Sequence, residues 1–534
     1  MSRNIFNKIN TSGAPAATAI NEAGGKAYGM SAEQAFAQLM MTGVFNNTFH
    51  VTGKAQLSEF LDLAKKLDPK FRHQAAIFAA ENGGSRLAQY TAVAVSLATG
   101  DREGFDRAFT TVVKNVGAVR EVVGIFRSGV LGRKSFGTRP KRLLKGVLEN
   151  MSGEQIFRSS IGNDPSLGDI VKLLHPKPTT AEANAVFARE IEKPFDLNLL
   201  PAIVKQYDNF RTTKEGAVPQ VDIRLLGNLE LSDEQWAKLI PGFSWTTIRM
   251  NIRKWNEKGL FTKYPTLVAK VAAKLRDKEL LSKVDPEPYQ LMMTFMAIRN
   301  SGMPREIITS IEDALEYSLN SVDELGCKVV LCPDLSASTK SPLTGDRAGG
   351  TSDVRTVDVA ALFTAALLRR NPDSLVLPFD DRVWDNLSLN PKDTVTTIAN
   401  VLANAGGGGT KCQLPLEYLL DHKIKADLII MFSDNESWMD SDGRGHGPCS
   451  SGSWYGGKPT DLMDTFLKYK KVNQNAKLVC VDLQPVTSMQ TINRPDILNI
   501  GGFSDSVFKL IRQFVKGGFD GDLLVKQIKS IPLE

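Results

Sequence analysis

Asp334-Leu335-Ser336-Ala337-Ser338 follows an apolar run, Lys328-Val329-Val330-Leu331-Cys332, that reads as a strand. A carboxylate and two hydroxyls alternate there on a tight loop, so all three can point at one ion. Magnesium takes near-octahedral oxygen ligands and keeps several waters. Serine hydroxyls suit direct coordination, while the aspartate binds through water or orients the serines. The pattern is short and built of common residues, so its neighbours carry much of the weight. Gly406-Gly407-Gly408-Gly409-Thr410 is a glycine loop that presents a threonine hydroxyl. Phe432-Ser433-Asp434-Asn435-Glu436 is an acidic turn directly after the apolar strand Leu428-Ile429-Ile430-Met431. Open parallel sheets bind ligands at the loops beyond the C-terminal ends of their strands. Three unrelated polar turns would be the plainer reading; the order and chemistry of the loops favour one site.

These three loops resemble the metal-ion-dependent adhesion site of the von Willebrand factor A domain. The resemblance runs from about residue 326 to the end and implies a metal set of Asp334, Ser336, Ser338, Thr410 and Asp434, with Mg2+ as cofactor. Pro333 and Thr339-Lys340 depart from the usual flanks without removing a ligand. The surrounding sequence alternates strands and helices. Helices are expected over 354–370, 394–404, 414–420 and 507–515, and strands over 374–379, 428–432 and 477–481. That alternation predicts a doubly wound α/β sheet. A polar, Gly/Ser-rich segment from 437 to 460 reads as an insertion near the site. It carries His446 and Cys449, too few paired ligands to build a zinc site.

The chain of 534 residues exceeds one ordinary core, so at least two domains are expected. No apolar run approaches the length of a membrane span, and Met1-Ser2-Arg3-Asn4 opens no signal peptide. The 5 cysteines are odd in number and all lie beyond residue 326, which argues against a disulfide framework and for a reducing cytoplasm. The net charge of +6 is uneven: residues 1–325 carry 42 basic and 35 acidic side chains, against 23 and 24 in the remainder. The basic surplus therefore belongs to the first part, where its clustering matters more than its size.

Residues 1–25 read as an extended polar arm. From Ser31, whose spacing to Gln34 makes a capping box, helical patterns continue for nearly three hundred residues. Breaks fall at Gly83-Gly84, Gly100 and Pro165. Short helices with short connections predict an α-solenoid, although no clean sequence period is present. Trp236, Trp245 and Trp255 are expected in the core, with Arg249 and Asn251 as hydrogen-bonding partners between helices.

The most basic segment holds Arg127, Arg133-Lys134, Arg139-Pro140-Lys141-Arg142 and Lys145. Pro140 suits a first helical turn, and Lys141, Arg142 and Lys145 share a face at spacings of three and four. A pliable basic loop feeding a basic helix is a good surface for phosphates; an ordinary solvated helix face is about equally compatible.

Helical repeats followed by an A domain resemble the Ro autoantigen family, whose helical part is the TROVE module, and its bacterial branch in particular. The stretches that carry this are Thr48 to Gly53, Gly137 to Lys145, Leu174-His175-Pro176-Lys177-Pro178, Trp245 to Asn251, and Ser433 to Glu436. The resemblance implies a multidomain chain: an arm over 1–25, a ring of HEAT-like repeats over 26–325, and the A domain over 326–534. It implies a monomer that binds small noncoding Y RNAs on the ring's outside. The single-stranded 3′ ends of misfolded or decaying RNAs would enter its hole. A 3′-to-5′ exoribonuclease such as polynucleotide phosphorylase is the implied partner. His175 matches the family's Y-RNA-binding histidine, Arg158 a basic contact, and Arg139, Lys141, Arg142 and Lys145 the basic helix; Arg133 and Lys134 lie in the loop before it. Gly162 stands where animal members carry arginine. No nucleophile–base pair, P-loop or paired catalytic carboxylates are evident, so a non-enzymatic RNA scaffold is expected. A magnesium-dependent protein-interaction module with a helical spacer is the first alternative, and a metal-dependent nuclease using Asp334 and Asp434 the second.

Overall fold

The computed structural model describes residues 13–21, 23–43, 45, 47, 51–162, 164–343, 354–434, 437, 458–484, 488–503, 506–516 and 523–534. His446, Cys449 and most of the 437–460 segment fall outside these residues, as do Thr48, Phe49, His50, Asn435 and Glu436. The chain divides into two compact units: residues 1–58 with 244–525, and residues 59–243 with 526–534. These units cut the chain elsewhere than the divisions expected at 25/26 and 325/326. Helices Pro288–Arg299 and Arg305–Ser318 pack with the α/β layer, against helices Thr356–Arg370 and Val395–Ala403. Among the described residues no helix is long and apolar enough to cross a membrane.

The first unit contains the strands β1 (Ala19–Ile20), β2 (Lys26–Gly29), β3 (Val329–Pro333), β4 (Leu375–Val376), β5 (Leu428–Ser433), β6 (Lys477–Asp482), β7 (Ser488–Met489) and β8 (Ile497–Gly501). β4, β3, β5, β6 and β8 form a parallel sheet in that order. Their runs are apolar throughout because both faces are covered. Val330, Cys332, Ile429, Met431, Leu478 and Cys480 share a core with Leu416, Leu419, Phe466 and Tyr469 of helices Leu414–Asp421 and Asp461–Val472. Alternate residues face the other way, where Phe432 meets Phe363 edge-on and Phe363 meets Phe508. Helix Thr356–Arg370 is buried from Thr356 to Leu368, which accounts for its nearly unbroken apolar sequence.

The expected helices over 354–370, 394–404, 414–420 and 507–515 are present within two residues. The strand expected over 374–379 is shorter: only Leu375 and Val376 join the ladder, with Phe379 making an isolated bridge. The described part of the arm is not a free extension. Ala19 and Ile20 pair with Lys26 and Ala27, and β2 pairs with β7. Lys26 Nζ bonds Asp461 at 2.8 Å, and the Tyr28 hydroxyl donates to the Pro15 carbonyl at 2.7 Å.

In the second unit, short helices pack on their neighbours, each stopped by its own chemistry. Ser85, Asn115, Ser152, Ser166, Thr180 and Ser232 cap helix N-termini through their side chains, and Gly100 and Gly129 close C-termini in the left-handed region. Trp236 in this unit, and Ser31, Trp245, Trp255 and Arg249 in the first, behave as expected: Ser31 closes its capping box with Gln34, the tryptophans are buried, and Arg249 bonds the Gln290 carbonyl and Thr294 hydroxyl. Asn251 differs, since its amide donates to Thr247 of its own helix.

A buried polar knot holds the start of this unit. Arg72 bonds the Ser96 hydroxyl, the Ala64 carbonyl and Asp101, while His73 spans the Glu103 carbonyl and Ser96. Removing the guanidinium strands these partners, and breaking a buried pair from one side costs about 3–5 kcal/mol. Arg72→Met is therefore expected to lower the urea midpoint clearly, whereas an exposed change such as Lys70→Met moves it little.

A candidate divalent-cation site and a basic helix face

The sheet order places β3 and β5 side by side at the point where the strand order reverses, which is where open α/β sheets receive ligands. Asp334 and Asp434 follow directly on these two strands, and both are fully buried. Asp334 is held from both sides: its Oδ1 accepts the Ser336 N–H at 2.8 Å and its Oδ2 accepts the Ser433 hydroxyl at 2.5 Å. The Ser336 and Ser338 hydroxyls lie 3.2 Å apart, and Thr339 bonds the Ser336 carbonyl at 2.7 Å, which fixes the turn.

The glycine loop folds in beside this turn. The Ala337 N–H donates to the Gly408 carbonyl at 2.9 Å. Gly406 has φ +72° and lies against Leu335, where a Cβ would come within 2.4 Å of Leu335 atoms. Only glycine meets both demands. Thr410, buried two residues beyond Gly408, is thereby brought to the same edge. The nearby Cys412 thiol is pushed well above its ordinary pKa by burial and by the charges of Asp334 and Asp434. All five residues expected as metal ligands thus share the C-terminal edge of the sheet.

Two positioning residues were not among those expected. Ser433 orients Asp334, and Asp380 accepts the Gly408 N–H at 3.1 Å and the Arg382 N–H at 3.1 Å, tying the glycine loop to the segment after β4. A signal existed for both: each is polar and stands at the end of an apolar strand-like run.

Burial and the neighbouring Asp434 charge raise the Asp334 pKa to about 7. Two carboxylates and three hydroxyls form a hard-oxygen set, in which the Asp434 charge disfavours ionisation of Asp334. Such a set fits a small divalent cation. With both Asp334 oxygens already accepting hydrogen bonds, that residue suits water-mediated binding, leaving the serine hydroxyls for direct contact. Among the described residues, no group of three or more His, Cys, Asp or Glu converges.

The expected basic residues all lie in the other unit, and the structure sorts them. Helix Thr138–Glu149 buries Leu144 and Leu148, leaving Lys141 and Arg142 exposed. Lys134 is exposed on the preceding loop. Lys145 pairs with Glu149 at 3.4 Å, and Arg158 pairs with Glu154 at 2.7 Å and also bonds the Gln220 carbonyl. Arg133 holds its own loop through the Ser135 and Phe136 carbonyls, and Arg139 lies 4.7 Å over the Phe105 ring. His175 ends helix Leu167–Leu174 in the left-handed region at φ 51° and is exposed. At Gly162, φ +130°, an added Cβ would strike the Arg120 guanidinium, which bonds the Ser160, Ile161 and Pro165 carbonyls. Arg120 thus makes glycine necessary there.

Residues 328–444, which include the whole candidate cation site, match the family model of the Ro60 vWA domain. A segment of 216 residues is 25% identical to a Deinococcus radiodurans protein named RNA-binding protein RO60. Both matches point to the Ro family, the first through its A domain alone. The alignment to the Deinococcus protein covers 40% of this chain and 36% of the relative's length, so the chain matches only about a third of that relative. The crystal structure of the Deinococcus radiodurans RO (RSR) protein superposes with a TM-score of 0.62 at 18% identity, over 92% of this chain and 100% of that one. The likeness establishes the fold, helical repeats with a von Willebrand factor A domain.

Proposed function

We propose that this chain is a non-catalytic RNA-binding scaffold. It carries a small structured Y-like RNA on the face of helix Thr138–Glu149 and handles the single-stranded 3′ ends of misfolded or decaying RNA. The observation that carries the reading is a set of exposed cations, Lys134, Lys141 and Arg142, that make no ion pair among the described residues. Cations kept free of internal partners suit phosphates, and a relative named for RNA binding supports that choice of anion. His175, exposed at the end of helix Leu167–Leu174, adds ring nitrogens suited to a phosphate or a 2′-hydroxyl.

In this reading Mg2+ binds at Ser336, Ser338 and Thr410, with Asp334 and Asp434 charging the site. The ion supplies an open coordination position for an acidic group of a partner protein, such as an exoribonuclease of the polynucleotide phosphorylase type. The protein works as a cytoplasmic monomer. The buried hydroxyl-rich site also supports the protein-interaction reading, in which docking is the main task. Hydrolysis is the weaker reading, since nucleases commonly use two clustered metals.

The test is to incubate the full chain with end-labelled structured RNA, with and without Mg2+, and to follow both mobility and length. The expected result is a shifted, full-length RNA. Shortening that disappears in Asp334→Ala would make the protein a nuclease, and the absence of any shift would favour pure protein docking.

A further inference from the structure

An open pocket of about 660 Å³ lies beside the first turn of helix Thr138–Glu149. Its volume falls in the range of small-molecule sites, roughly 300–1,000 Å³. Arg127, Lys134 and Lys141 stand at its wall; among the described residues none makes an ion pair or side-chain hydrogen bond, although Arg127 acts on the Asp169 carboxylate through its charge. Phe136 and Leu173 give it a largely apolar floor. Phe136 is fixed by stacking on Phe126, with centroids 4.7 Å apart and planes 22° from parallel. Thr138 adds a hydroxyl at the rim.

The two halves of this lining ask for different things. Three cations, only Arg127 of them near a carboxylate among the described residues, call for an anion. A bare phosphate would leave the apolar floor unused, and an apolar ligand would leave the cations unanswered. A base-paired helix offers phosphates but keeps its base faces stacked inside. One unpaired nucleotide offers both a phosphate and a flat apolar base. We infer that this pocket receives a single unstacked nucleotide of the bound RNA, its phosphate against Lys134, Lys141 and Arg127 and its base against Phe136 and Leu173. The inference rests on the RNA-binding reading and adds to it a site for a bulged or terminal nucleotide. Of the five lining residues it uses, Phe136 and Leu173 lie outside those read from the sequence, and Arg127 was read there only as part of the basic segment.

The experiment is a fluorescence-anisotropy titration of the full chain with three RNA hairpins: one with a single-uridine bulge, one with an abasic residue at the bulge, and one fully paired. Wild type is expected to bind the bulged hairpin about tenfold tighter than the abasic one, the scale of stacking one base on a protein surface. Leu173→Trp fills the floor and keeps the cations, so it should bind bulged and abasic hairpins equally, at the wild-type affinity for the abasic form. Thr138→Trp, an exposed rim change, serves as a second blocking variant. Equal binding of bulged and abasic hairpins by wild type, or an undiminished preference in the blocked variants, overturns the nucleotide pocket and leaves the RNA-binding reading standing. Failure of wild type to bind all three hairpins removes both.

Discussion

Alanine at Lys134, Lys141 and Arg142 together is expected to weaken binding of a structured small RNA by about one to two orders of magnitude near physiological salt. The effect should be electrostatic in kind. Each lost phosphate contact removes roughly 0.7 to 0.9 from the log–log salt slope, so the triple variant should fall about two to three units short of wild type. Anisotropy titrations at several salt concentrations measure both quantities. Folding should be nearly untouched, because the three side chains are exposed and make no hydrogen bond or ion pair among the described residues. Arg139→Ala is the informative contrast. Its guanidinium lies on Phe105, so the change should act mainly on stability and little on the salt slope.

Magnesium is expected to stabilise the α/β unit, and Asp334→Asn to abolish that effect. A ligand at a hundred times its dissociation constant adds about 2.7 kcal/mol, which for a unit of this size raises Tm by about 5 °C. The shift should depend on pH, with a definite sign. The folded-state pKa of Asp334 is raised to about 7, above its ordinary carboxylate value. The folded state therefore holds a proton that the unfolded chain releases. Without metal, this residue's contribution to stability is greatest at low pH and is lost as pH rises toward 7. Magnesium needs the carboxylate ionised, so protons compete with it, and the magnesium-induced shift in Tm should grow between pH 5 and pH 8. Calorimetry with and without the ion at those two pH values checks this; an equal shift at both, or a shift retained by Asp334→Asn, would remove the cation from Asp334.

The candidate cation site was legible because its chemistry is local in sequence. Asp334, Ser336 and Ser338 fit one turn, and the glycines before Thr410 announce a close backbone approach, which Gly406 makes against Leu335. Asp380 and Ser433 were legible only as polar residues ending apolar runs; their roles were not, because each acts on a residue distant in sequence and nothing in its own neighbourhood names that partner. The sheet's long apolar strands could be read directly. The small sheet of β1, β2 and β7 could not: two of its strands are two residues long, too short for an alternating pattern. On the basic face, composition counts cations without showing where their charge is spent. Arg133 meets backbone carbonyls and Lys145 a carboxylate, while Lys134, Lys141 and Arg142 remain available. Leu173 became visible as a partner of that helix only when separate helices were brought together around one pocket.

The most direct test of the central claim, that RNA lies on this helix face, is photo-crosslinking of the full chain to a structured RNA carrying 4-thiouridine, followed by mapping of the crosslinked peptides. The account predicts crosslinks concentrated between Arg127 and Lys145 and at Leu173 to Lys177, lost at high salt. Crosslinks confined to other segments, or none at an RNA concentration that saturates binding, would contradict it.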